Sequence, residues 1–397
     1  MQKIPSTLSL QFTQSNQYRT SLFTTILQQQ LNPMIKKNKP QILFFILLNL
    51  FFSLNAFSQK SVYAGIEIGR RAIKVSVVDV NNIRKADYKI LYFATDRLDF
   101  AAHIAEKGEL PQEDINKIGV TVVDQLKKIK TDFKLLEENI FIVAAPVFSQ
   151  ARNIDVLKAK INTLTNKNLD VLNVNEEAKT LVKGAMPPVD FANAFLLDIG
   201  AQTTKGGYID ELEDDKLEFI PLELDFGTMT LTDAVKKTVV NPNQANDMAT
   251  YQEKAFDFNP VLRKKVKALL DANPPLAKKN KIYLSGGAVW AFATLYYNDE
   301  IKEHYIPLTL EDVINYDAIL KNNFVKFTNQ AKTNKEVARV LSTYDQQYLI
   351  SANNILQTCL ESIPNLQSKK VLFVKEGQVI WLISYIADRS KKVNTNF

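Results

Sequence analysis

The chain has 397 residues but one cysteine, Cys359, and two histidines, His103 and His304. One cysteine excludes an intramolecular disulfide, a zinc finger and any Cys-ligated cluster. Two histidines exclude a three-His zinc site and leave a Ser-His-Asp hydrolase with little to work with. Hydrolytic chemistry must then rest on carboxylates, hydroxyls and backbone amides, with or without a hard metal ion. Acid is also missing from one end: residues 1–59 hold Lys3, Arg19, Lys36, Lys37 and Lys39 and no Asp or Glu. Removing those five from 49 basic residues leaves 44 against 43 acidic ones, so the formal charge of +6 falls to +1. The body of the protein therefore lacks the excess positive charge of a polyanion or nucleic-acid binder. At 46% hydrophobic and 23% charged, it has the composition of globular cores, and the length suits two domains.

What the N-terminal region does contain is an address. Met34-Ile-Lys-Lys-Asn-Lys39 is basic, Ile42–Phe52 is apolar, and small residues follow up to Ser58. This is the order of a secretory signal, and cleavage after Ser58 puts Ala56 at position −3. The apolar run is short for a membrane span of about 20 residues, which favours a cleaved signal over a retained anchor. A signal belongs at the start, so the pattern predicts initiation at Met34, with residues 1–33 an extension outside the natural chain, 34–58 the signal peptide and the mature protein exported to a bacterial periplasm. No second apolar stretch approaches 18 residues, so no membrane span is expected after cleavage.

The remainder reads as one pattern used twice. Strands are predicted at Val62–Ile68, Ile73–Val80 and Tyr88–Phe93, with a turn at Asn81-Asn82, then an amphipathic helix opened by Pro111 with Ile115, Ile118, Val122, Leu126 and Ile129 on one face. A strand at 140–145, a helix at 154–164, a strand at 169–174 and a helix at 176–183 follow. The second round has strands at 194–199, 203–209 and 217–224, a helical section from Thr230, a strand at 281–284 running into Gly286-Gly287, helices at 310–323 and 345–360, a strand at 371–374 and a last helix at 379–387. Glu67-Ile-Gly69 and Asp198-Ile-Gly200 are the matching points, 131 residues apart. Two such halves imply an α/β protein of duplicated actin-like, sugar-kinase-like (ribonuclease-H-like) domains, at 62–193 and 194–390, around a central cleft.

Five segments, in order, resemble the exopolyphosphatase and guanosine-pentaphosphate phosphatase (Ppx/GppA) family. They are Ala64-Gly-Ile-Glu-Ile-Gly-Arg-Arg-Ala-Ile-Lys74, Ala144–Asn153, Val174-Asn-Glu-Glu-Ala178, Asp198-Ile-Gly-Ala-Gln-Thr-Thr204 and Tyr348–Leu356 followed by Val371–Gly377. The resemblance implies a phosphohydrolase acting on polyphosphate or another phosphoanhydride, with a carboxylate that handles the attacking water. That residue is Glu176 by position, with Glu177 as the fallback; both also suit a helix N-terminus. Phosphate-binding candidates are Glu67, Gly69, Arg70, Arg71, Lys74, Arg152, Gly200, Thr203, Thr204, Gly286 and Gly287. Asp198 is the candidate for Mg²⁺ through water.

The chain departs from the family pattern at the loops. Arg70-Arg71-Ala72 replaces Ser-Asn-Ser; the two guanidiniums are either phosphate forks or an exposed charged turn. Ser149 stands where an arginine is expected, with Arg152 nearby. Ala201 and Gln202 replace glycines, and Lys205 replaces an acidic residue that is a candidate metal ligand in the family. These departures motivate an alternative, a non-catalytic binding or scaffold protein on the same fold. Expected partners are polyphosphate or a related phosphoanhydride, with no nucleic acid; the reading also allows a homodimer.

Overall fold

A computed structural model describes residues 62–69, 72–82, 87–98, 100–211, 217–298, 303–375 and 377–389. Residues 34–58, where a signal peptide is expected, Arg70, Arg71 and residues 212–216 lie outside them.

The first half forms β1 (Val62–Ile68), β2 (Ala72–Asn82), β3 (Asp87–Arg97), α1 (Ala101–Lys107), α2 (Gln112–Phe133), β4 (Ile140–Ala144), α3 (Ile154–Thr165), β5 (Leu169–Val171) and α4 (Val174–Ala185). β1 reads as a continuous apolar run because it is central: it pairs antiparallel with β2 and parallel with β4, and all seven of its residues are buried. Strand β2 continues through Asn81 and Asn82, where the sequence suggests a turn, because Asn82 pairs with Asp87 on β3. α2 follows Pro111 in the cap position, carries Glu113 and Asp114 in its first turn, and buries the five predicted apolar positions.

The second half forms β6 (Ala194–Ile199), β7 (Thr204–Glu211), β8 (Leu217–Leu224), α5 (Thr228–Lys236), α6 (Met248–Asp271), β9 (Lys281–Ser285), α7 (Gly287–Tyr297), β10 (Tyr305–Pro307), α8 (Leu310–Asn322), α9 (Val325–Gln330), α10 (Lys335–Thr343), α11 (Gln346–Ser362), β11 (Lys370–Val374) and α12 (Gly377–Arg389). Its sheet runs β8-β7-β6-β9-β11 with β10 added at the edge, the order of β3-β2-β1-β4-β5 in the first sheet. The duplication is therefore topological as well as sequential. Among the described residues no helix is long and apolar enough to cross a membrane.

Both sheets lie within one compact unit. One apolar layer touches both: it contains Leu181, Val182 and Ala185 of α4, Ile380, Leu382, Ile383 and Ile386 of α12, Tyr63 and Val78 from the first sheet, and Leu196 and Ile209 from the second. Close approach depends on glycine. A Cβ on Gly184 would stand 2.7 Å from the Ile380 carbonyl oxygen, so α4 and α12 approach backbone to backbone. The final helix, placed by sequence in the second domain, thus packs on β1 and α4 of the first half. Cys359 lies on the buried face of α11, as its apolar neighbours predict.

Candidate functional site

The two strand-turn-strand loops have the same construction. The Gly69 amide donates to the Ala72 carbonyl at 2.8 Å, and the Gly200 amide donates to the Thr203 carbonyl at 3.1 Å. In each half an acid before the turn stands directly across the strands from a lysine after it: Glu67 opposite Lys74, and Asp198 opposite Lys205. These side chains line a cleft of about 830 Å³, together with Glu177, Ala201, Gly286 and Gly287. Its rim is bridged where Arg97 donates to the Thr343 hydroxyl at 3.2 Å.

Charge is concentrated at the cleft floor. Lys74 donates to both Glu67 carboxylate oxygens, at 3.3 and 3.2 Å. Lys205 donates to Glu177. Asp198 accepts from the Ser285 hydroxyl at 2.6 Å; the two residues are neighbours on β6 and β9. Burial pushes the Glu67 carboxyl above its ordinary value, against the opposing pull of Lys74. Burial does the same to Asp198, with Lys205 and the Ser285 hydrogen bond opposing it. For Lys205, burial acts downward, but Glu177, Asp198 and Glu67 outweigh it and the ammonium is held above its ordinary value.

The structure separates the two glutamates that begin α4. Glu176 is exposed and completes a capping box: its carboxylate accepts from the Asn173 amide at 3.0 Å, and its own amide donates to Asn173 Oδ1 at 2.8 Å. It does not line the cleft. Glu177, one helical position on, turns into the cleft and meets Lys205. The first choice made from sequence position is thus a cap, and its fallback is the residue in the site.

Two further sequence candidates lie elsewhere. Arg152 is 72% exposed; it donates to the Lys107 carbonyl at 3.0 Å and lies 3.5 Å from Glu109, away from the cleft. The buried Thr204 hydroxyl donates to the Phe226 carbonyl at 2.9 Å, because strand alternation turns Thr204 to the opposite face from Lys205. Thr203 contributes its carbonyl to the turn. Gly286 has φ +95°, and a Cβ there would lie 2.4 Å from the Ile199 carbonyl oxygen, so no other residue fits that turn without movement. Gly287 makes room for the Tyr344 hydroxyl, which would be 2.5 Å from an added Cβ. Arg70 and Arg71 lie outside the described residues.

Sequence reasoning passed over Ser285, Arg97 and Tyr344, and noted Lys205 as a replacement of an acidic residue without placing it among the site candidates. Lys205 had a signal: it lies 131 residues after Lys74, the offset of the two acid-Ile-Gly turns. The other three are brought in by tertiary packing.

For a divalent metal, the donors present are Glu67, Glu177 and Asp198. Among the described residues no group of three or more His, Cys, Asp or Glu side chains is arranged to hold an ion. Glu67 and Glu177 are each paired to an ammonium, and Lys205 interacts with all three carboxylates. With two of the three carboxylates paired to ammonium groups, this set does not fit a resident divalent ion.

The model of the Ppx/GppA phosphatase family matches residues 77–297, more than half of the chain. No curated protein matches the sequence. Among solved structures, the Ppx/GppA phosphatase of Aquifex aeolicus is 17% identical with a TM-score of 0.60, over 80% of this chain and 98% of that one. An exopolyphosphatase from Cytophaga hutchinsonii is 13% identical with a TM-score of 0.53, over 82% of this chain and 98% of that one. At these identities the likeness is one of fold, the duplicated actin-like α/β architecture.

Proposed function

The chain belongs to the Ppx/GppA phosphatase family, and from that premise we propose that its cleft hydrolyses a terminal phosphoanhydride, with polyphosphate as the substrate class and Glu177 as the group that orients and deprotonates the water. The observation that carries this reading is the position of Glu177. Its carboxylate shares an open cleft of about 830 Å³ with residues from both strand-turn-strand loops. The amides of the second turn offer donors to a phosphoryl group, and the Lys74 ammonium offers charge.

A non-catalytic reading would favour a cleft filled by side chains. The cleft instead keeps its volume, and Gln202 is not among the residues lining it; its carbonyl accepts from the Gly227 amide at 3.0 Å. The order of basic, apolar and small residues over 34–58 supports export, and a mature chain beginning at Gln59 is the expected result of N-terminal sequencing. The hydrolase reading is tested by measuring phosphate release from long-chain polyphosphate and from nucleotides, with and without Mg²⁺. No release from any of them refutes it.

A further inference from the structure

We propose that Lys205 is a phosphate-holding residue, the counterpart in the second half of Lys74 in the first, and that linked phosphoryl groups bind between the two ammonium groups in competition with Glu177. The inference rests on the reading of the cleft as a phosphohydrolase site and says what holds its substrate.

The first support is the duplication. Glu67, Gly69, Ala72 and Lys74 recur as Asp198, Gly200, Thr203 and Lys205 at one constant offset of 131, with the same turn hydrogen bond and the same cross-strand pairing. Two halves that face one cleft with the same device present two equivalent cations to one ligand. Both lysines are reachable, with side chains 28% and 24% exposed.

The second support is the supply of donors beside Lys205. The turn is pinned from behind by its carbonyls: Ala201 accepts from the Met229 amide at 2.7 Å, and Gln202 accepts from the Gly227 amide at 3.0 Å. The amides of Ala201, Gln202 and Thr203 donate to no acceptor among the described residues. Backbone amides left over at a turn make an anion-binding concavity, and an ammonium beside it adds charge and further N–H groups.

Competition follows from charge. In the free cleft Lys205 donates to Glu177. A phosphate carries more charge and more acceptor oxygens than a carboxylate, so it draws the ammonium away and leaves Glu177 free to take a proton. The neighbouring carboxylates keep Lys205 protonated, so a cation is present without a bound metal.

The test is isothermal titration of the full chain with methylenediphosphonate, a linked pair of phosphoryl groups that cannot be hydrolysed, in EDTA. Wild type is expected to bind. Lys205→Met weakens binding by about tenfold or more, the worth of one charge-assisted contact. Lys205→Arg, which keeps the cation, stays within about threefold of wild type, and Glu177→Gln binds more tightly because the competing carboxylate is gone. Thermal melts of each variant identify any that fail to fold, and the Arg and Gln variants then carry the test. Equal affinity of wild type and folded Lys205→Met overturns the proposal, as does wild-type binding that appears only after Mg²⁺ is added, or weaker binding by folded Glu177→Gln. Binding with no phosphate release from polyphosphate overturns the hydrolase reading alone. Release from polyphosphate together with an unaffected Lys205→Met affinity overturns this inference alone.

Discussion

Glu176→Gln and Glu177→Gln change adjacent residues by the same atoms, and the structure assigns them opposite outcomes. The Glu176 carboxylate accepts one hydrogen bond, from the Asn173 amide at 3.0 Å, and faces solvent. A glutamine carbonyl accepts the same bond, and Gln is an accepted partner in a capping box. The change should cost at most about 0.5 kcal/mol of stability and leave the rate within about twofold. Glu177 is 13% exposed and holds Lys205 at the cleft floor. Losing a general base lowers the rate by about 10²–10⁴, or about 3–5 kcal/mol in the barrier. The Lys205 ammonium, itself 24% exposed, then faces a neutral amide oxygen while Asp198 and Glu67 still act on it, and the change should cost about 1 kcal/mol of stability. The assay is the initial rate of phosphate release from polyphosphate, with thermal melts of both variants alongside. Glu177→Gln at the wild-type rate refutes the reasoning, and so does a hundredfold loss in Glu176→Gln.

Three further outcomes are expected. Gly286→Ala puts a Cβ 2.4 Å from the Ile199 carbonyl oxygen at φ +95° and should cost at least about 2 kcal/mol; a melting temperature equal to wild type contradicts the turn geometry. Leu382→Ala removes a side chain 1% exposed in the layer between the sheets and should cost about 2–5 kcal/mol by denaturant titration, whereas a loss below 1 kcal/mol argues against that packing. Glu67 has its folded pKa raised above 4.5 by burial, so the fold binds this proton more tightly than the unfolded chain does. Its contribution to stability then falls as pH rises from 4.5 through the folded value, and is flat above it. The melting-temperature difference of Glu67→Gln over wild type should therefore grow as pH rises from 4.5 toward neutrality, and a difference that shrinks contradicts the sign.

Much of the fold was legible because its periodicities are local. Val62–Ile68 reads as a buried strand from its apolar run, and Pro111 with the five apolar positions of α2 reads as a helix from its start signal and 3.6-residue spacing. The short elements α1, α9, α10 and β10 were not legible, since too few residues carry a pattern in them. In the site, the choice between the glutamates was decidable locally: Asn173 and Glu176 have capping-box spacing, which commits Glu176 to the backbone and leaves Glu177 for the cleft. Position within a family motif outweighed that local chemistry in the sequence reading. Thr204 and Lys205 are likewise separable by period two once β7 is recognised. Arg152 was not: three residues from an expected arginine, it lies where the chain has turned toward Lys107 and Glu109.

The altered loops and the preserved cleft have one physical explanation. Glu177 and Lys205 meet across the halves because α4 lies between the two sheets, packed against α12 and against β7. That placement is set by an apolar layer of large buried side chains and by the close approach at Gly184, not by the residues of the phosphate turns. Exchanging glycine for Ala201 and Gln202 alters what the second turn can touch. It does not move the helix that carries Glu177, because those side chains take no part in the layer. A cleft whose walls are fixed by the core tolerates loop substitutions that would collapse a site built from loops alone. Within such walls a lysine in register with Asp198 is positioned by strand pairing, so position 205 can change from acid to base while its side chain still enters the same cleft.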